Sequence, residues 1–177
     1  MQESPIQFVK RPTYKRIAKD RVVRLRYAVV DLADQRPLEY RDDLYYLHGG
    51  YGGAFPKVEG ALEGKQVGDK IEIDLSPEEG YGPRVRELVM QVPEAHFPPD
   101  MRKIGARVEG EAADGHRVAF TVTAVDNGII TVDGNHPLAG RDLHLVLEVL
   151  DIRDAGTAEL QAGYAFPPAP AEPPPGN

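Results

Sequence analysis

The sequence predicts an α+β fold that is mostly β, with a small all-β domain inserted into it. Three observations predict this. Three segments alternate apolar and polar residues with period two. One short stretch after Pro56 repeats apolar residues at helical spacing. The middle of the chain breaks into short strand-like runs joined by hairpin dipeptides. The 177 residues are 41% hydrophobic and 28% charged, which suits one ordinary domain or two small ones.

In chain order, residues 1–19 are polar and basic with two prolines, and an irregular N-terminal arm is expected. From Arg21, the residues Val23, Leu25, Tyr27 and Val29 share one face, with Arg24 and Arg26 between them, as in a half-buried strand. A turn-like stretch at 34–37 leads to the segment YYLHGGYGGAF at 45–55. Next comes PKVEGALEG: Pro56 suits a first helical turn, Val58, Ala61 and Leu62 form one apolar stripe, and Gly64 suits the stop. Ile71, Ile73 and Leu75 alternate with charges as a further strand, and Leu143, Leu145, Leu147 and Val149 mark the last strong one.

Between these two strands, residues 88–99 are apolar and proline-punctuated. Strands are predicted at 107–111, 117–124 and 129–132, with turns at Asp114-Gly115 and Asn127-Gly128. A compact insertion explains this block without a long structureless loop. From about Asp154 the chain runs to AFPPAPAEPPPGN. Proline at that density removes backbone donors, so an extended, flexible tail is expected, with a proline-recognition ligand as the sharper alternative.

Composition excludes several classes. A net charge of −7 argues against general affinity for nucleic acid or anionic lipid. With no cysteine, disulfides and thiolate chemistry are absent. The N-terminus lacks a signal-peptide core and no run is long enough to span a bilayer, so a soluble, cytoplasmic protein is expected. The glycine-rich segment fails as a phosphate loop, because a dinucleotide fingerprint would need glycine at Phe55. Gly64-Lys65 fails as a P-loop end, with Glu59 in place of its first glycine and Gln66 in place of its hydroxyl residue. The histidines His48, His96, His116, His136 and His144 form no ligand pair on one predicted helix, and the two serines sit in no nucleophile elbow. No cofactor is expected.

The ordered landmarks RIAKDRVVRLRYAV, LHGG, FPKVEGALEGKQVGDKIEIDLSPEEGYG and VDGNHPLAGRDLHLVLEVLDIR resemble the SlyD-like branch of the FKBP-type peptidyl-prolyl cis/trans isomerases over residues 17–153. The resemblance implies a curved antiparallel sheet around one short helix, with an all-β "insert-in-flap" domain. It implies an isomerase domain at 20–85 with 134–153, a chaperone insert at 86–133 and a flexible tail at 154–177. The implied partners are unfolded, proline-containing polypeptides; a monomer is expected.

It also implies site residues. Tyr27, Phe55 and Tyr81 take the catalytic pocket positions, the hydroxyl of Tyr81 being placed to donate to a substrate carbonyl. Ala54 and Val58 take floor positions, Tyr46 and Leu145 the wall, and Leu138 the rim. The family's aspartate on the second strand matches the stretch PLEYRDD, where Tyr40 falls at or near its position as an expected substrate-binding residue, and Leu145 replaces a common phenylalanine. Both departures bear on rate, so a non-catalytic holdase with a weakened pocket is the alternative to a working isomerase and chaperone. Metal delivery, attached to some relatives through a tail rich in histidine and cysteine, is not expected of a tail that has neither.

Overall fold

A computed structural model describes residues 15–111 and 115–168. The elements are β1 (Arg21–Asp31), β2 (Pro37–His48), α1 (Pro56–Leu62), β3 (Lys70–Leu75), β4 (Val89–Pro93), β5 (Arg107–Glu111), β6 (Arg117–Asp126), β7 (Ile129–Asp133), β8 (Leu143–Asp154) and α2 (Thr157–Ala162). They divide into two compact units, one of residues 15–75 with 143–168 and one of residues 76–142. The break points lie outside the expected insert bounds of 86–133, so each flank of the insertion belongs to the second unit.

In the first unit the antiparallel sheet runs β2-β1-β8-β3. Alternation sets its two faces. Leu143, Leu145, Leu147 and Val149 of β8 are buried, opposite Leu25 and Val29 of β1 and Leu75 of β3. The intervening His144, Val146 and Glu148 are only half-buried. Helix α1 packs against β3 and buries Val58 and Leu62, one turn apart on the same side. Pro56 occupies its first turn, and Gly64, at φ +75, ends it in the left-handed region that glycine tolerates.

Both ends of this unit correct the sequence expectations. Ile17 is fully buried, donating its N–H to Lys65 and accepting from Gly64, so the expected arm is tied down from residue 15. Residues 1–14 of that arm lie outside the described residues. The expected flexible tail is ordered from 154 to 168. Strand β8 continues to Asp154, α2 follows, and Ala165 packs on Val22 and Leu47. Glu159 is buried there, taking a two-pronged bond from Arg153 at 2.7 Å and 2.7 Å and the N–H groups of Gly156 and Phe166. Those four bonds outweigh the desolvation of one carboxylate. The proline-dense end, 169–177, lies outside the described residues.

In the second unit the sheet order is β4-β7-β6-β5. Phe120, Val122, Ile130 and Val132 form its core, with Val92, Phe97, Ala106, Val108 and Val118 packed around them. Asn127 and Gly128 turn the β6–β7 hairpin at φ +48 and +77, as the dipeptide predicts. Asp114 of the other expected turn lies outside the described residues. Among the described residues no helix is long and apolar enough to cross a membrane.

Candidate functional site

The covered face of the first sheet carries one polar pair at its margin. Tyr27 lies on that face, opposite Leu147 of β8, and its hydroxyl donates to Glu39 Oε1 at 2.6 Å. Both partners are half-buried. The register of β2 decides which acidic residue arrives there. From Arg21↔His48 to Leu25↔Leu44 the strands pair without interruption, but Tyr27 then faces Arg41, so β2 holds one extra residue at Asp42–Asp43. A one-residue bulge exchanges the faces of everything beyond it. Glu39 therefore pairs with buried Val29, and Tyr40 pairs with Ala28 on the opposite face.

This corrects the expectation for Tyr40, which is 64% exposed and faces away from the covered side. There it borders a small recess of about 140 Å³ between Ala28, Val146 and Lys70. Within PLEYRDD the carboxylate that reaches Tyr27 is that of Glu39. Sequence reasoning missed it because strand period says nothing about where a bulge falls.

Phe55 and Ala54, both half-buried, stand at the entrance to α1, and Val58 and Leu145 are buried. Tyr46 is a correction to the expected wall, because its hydroxyl is committed to the buried His48. Its hydroxyl bonds to His48 Nδ1 at 2.9 Å, and His48 Nε2 bonds to Glu63 Oε2 at 2.5 Å. Burial, and then the charges of Glu59 and Glu63, push the Tyr46 phenol well above its ordinary value, so it keeps its proton. The Glu63 carboxylate accepts from His48 Nε2–H, while the Tyr46 hydroxyl holds Nδ1. Glu59 Oε1 accepts from the N–H groups of Gly49 at 2.6 Å and Gly50 at 2.9 Å. Burial alone would raise the Glu59 carboxyl. The two amides and His48 outweigh it, and its pKa falls below the ordinary value.

The same segment, YYLHGGYGGAF, carries the chain from β2 into α1. Gly49, Gly50 and Gly52 have φ of +122, +88 and +80, which folds the chain from β2 into α1, and Gly49 also lies against Lys19.

Tyr81 and Leu138 belong to the second unit and are half-buried. The Tyr81 ring stacks on His136 at 4.0 Å and 8°, and the Leu138 N–H donates to His136 Nδ1 at 3.1 Å. Two stretches distant in sequence, EEGYGP and DGNHPLAG, are joined here. Gly140 donates to the Gly82 carbonyl, the side chain of Asn135 brackets Val85 with two bonds, and Arg84 pairs with Asp133 at 2.6 Å. Among the described residues no group of three histidine or carboxylate side chains is placed to hold a metal ion.

No protein-family model matches the chain. The chain is 38% identical to the FKBP-type peptidyl-prolyl cis-trans isomerase SlyD of Yersinia pestis, over 84% of this chain and 77% of the relative. It is 36% identical to that of Haemophilus influenzae, over 84% and 79%. To that of Escherichia coli strain K12 it is 38% identical, over 84% and 76%.

Proposed function

The chain belongs to the SlyD family of FKBP-type peptidyl-prolyl cis-trans isomerases, and from that footing we propose that it isomerises prolyl bonds at the Tyr27–Glu39 margin of the first sheet. Rotation about such a bond meets a barrier of about 20 kcal/mol, because amide resonance must be broken. No proton needs to be transferred. The site must hold the twisted amide more tightly than the planar one.

In the planar amide, resonance places negative charge on the carbonyl oxygen, and twisting withdraws it. A carboxylate held beside the pocket by Tyr27 disfavours the planar charge distribution more than the twisted one. Phe55, Ala54, Val58 and Leu145 supply apolar surface that seats the proline ring and strips water from its amide. The single observation that carries the reading is the 2.6 Å bond between Tyr27 and Glu39, which gives this chain a carboxylate despite Tyr40.

The chaperone part of the proposal rests on the second unit. Val92 and Phe97 are spent on its core, but Ile104 is 71% exposed, and Met90, Val125 and Ile129 are also exposed. These offer apolar contacts to unfolded, proline-containing chains. A protease-coupled assay on a proline tetrapeptide, beside refolding of a proline-limited protein, tests the isomerase; acceleration in both is expected, and none in either would sink it. Deleting 86–133 tests the chaperone role, since suppression of aggregation should disappear with the insert. Undiminished suppression would place client binding elsewhere.

A further inference from the structure

We propose that His48, acting with Glu59 and Glu63, is the positioning device of the proline pocket, fixing α1 so that Phe55 and Val58 sit at the correct depth. This rests on the reading of those two residues as pocket floor.

Helix α1 has only seven residues, and no side chain caps its start at Phe55. A helix that short does not stand alone, so tertiary contacts must place it. Apolar burial of Val58 and Leu62 holds one side of the helix but is non-directional and permits sliding along the axis. The directional bonds come from Glu59 and Glu63, one turn apart. Glu59 Oε1 receives Gly49 and Gly50, while its N–H donates to the Phe55 carbonyl, so the same residue grips both ends of the loop 49–55. Glu63 receives His48 Nε2, and the His48 ring is held in turn by Tyr46.

The loop lies directly on this assembly. A Cβ added at Gly53 would sit 3.1 Å from Tyr46 Cβ. Stability alone does not call for a buried histidine here, because well-packed apolar groups commonly match a polar network energetically. What the network adds is a fixed helix position, and displacement of pocket groups by about 1 Å can cost large factors in rate.

Glu63 is the residue to change, since its side chain is 57% exposed and truncation leaves no cavity. In the full chain, Glu63→Ala is expected to lower kcat/KM on a proline tetrapeptide roughly tenfold, mainly through kcat. Glu63→Gln keeps an acceptor for His48 and should restore activity to within about twofold. Arg153→Ala, which releases Glu159 and α2, is the control; it should lower the thermal midpoint at least as much and leave kcat/KM unchanged. Methyl and ring NMR shifts of Val58 and Phe55 should move in Glu63→Ala and return in Glu63→Gln.

Wild-type kcat/KM in Glu63→Ala, or an equal loss in Arg153→Ala at the same melting shift, would overturn the positioning role. Unmoved Val58 and Phe55 shifts in Glu63→Ala would overturn it even in a chain that shows no turnover. Absent turnover in the wild type, with those shifts moving as expected, would instead overturn the isomerase reading alone.

Discussion

Glu39→Ala is expected to cut kcat/KM for prolyl isomerisation by about five- to thirtyfold, and Tyr40→Asp is expected to change it little. The magnitude follows from the Tyr27–Glu39 bond. At 2.6 Å it is a short hydroxyl-to-carboxylate bond. Bonds to charged groups contribute about 1.5–3 kcal/mol when well shielded. Only the part of the Glu39 charge's effect that differs between the planar and the twisted amide enters the rate. For a half-buried carboxylate held by such a bond this is about 1–2 kcal/mol, and 1.36 kcal/mol is a factor of ten. Glu39→Gln keeps the acceptor without its charge and should fall between wild type and alanine. If Tyr27 and Glu39 act as a unit, Tyr27→Phe with Glu39→Ala should be no worse than the poorer single variant. The protease-coupled tetrapeptide assay reads the rates, with urea midpoints measured in parallel to separate rate from stability. Wild-type turnover in Glu39→Ala would refute the role of the pair. A marked gain in Tyr40→Asp would refute the register, because it would mean that position 40 faces the pocket.

Other outcomes follow from the same contacts. The Arg153 guanidinium is the main cause that holds the Glu159 carboxyl at about 2, against an ordinary 4.5, with the N–H groups of Gly156 and Phe166 assisting against the opposing effect of burial. Its folded value is depressed, so the stability it contributes is present above pH 4.5 and lost as pH falls through about 2. The urea midpoint should therefore drop across that window, and Glu159→Gln should remove this part of the slope. Phe120→Ala empties the core of the second unit and should cost about 3–5 kcal/mol. Amide exchange should accelerate in β5–β7 while β1 and β8 stay protected, and uniform acceleration would contradict the division into two units. Nickel titration should give no tight stoichiometric site, because the chain has no cysteine and the described residues show no three-ligand group.

Much of the fold was legible because strand and helix periods are local. Leu143, Leu145, Leu147 and Val149 declare their shared face by alternation, and Pro56, Val58, Leu62 and Gly64 declare α1 by composition and spacing. Helix α2 also has a local signal, Glu159 three residues after Gly156 and Gly163 just past its end, but the proline-dense stretch beyond it points to an extended tail. Tyr46 looked like a pocket ring because an apolar-face aromatic reads the same whether core or wall.

What the sequence by itself determined is the family, the alternating strands, helix α1 and the insertion between β3 and β8. The tertiary structure alone decided that Glu39, and not Tyr40, meets Tyr27, and that His48 ties β2 to Glu63. The reason is geometric. Period two assigns residues to two faces, but an extra residue at Asp42–Asp43 exchanges those faces, and only pairing with β1 reveals it.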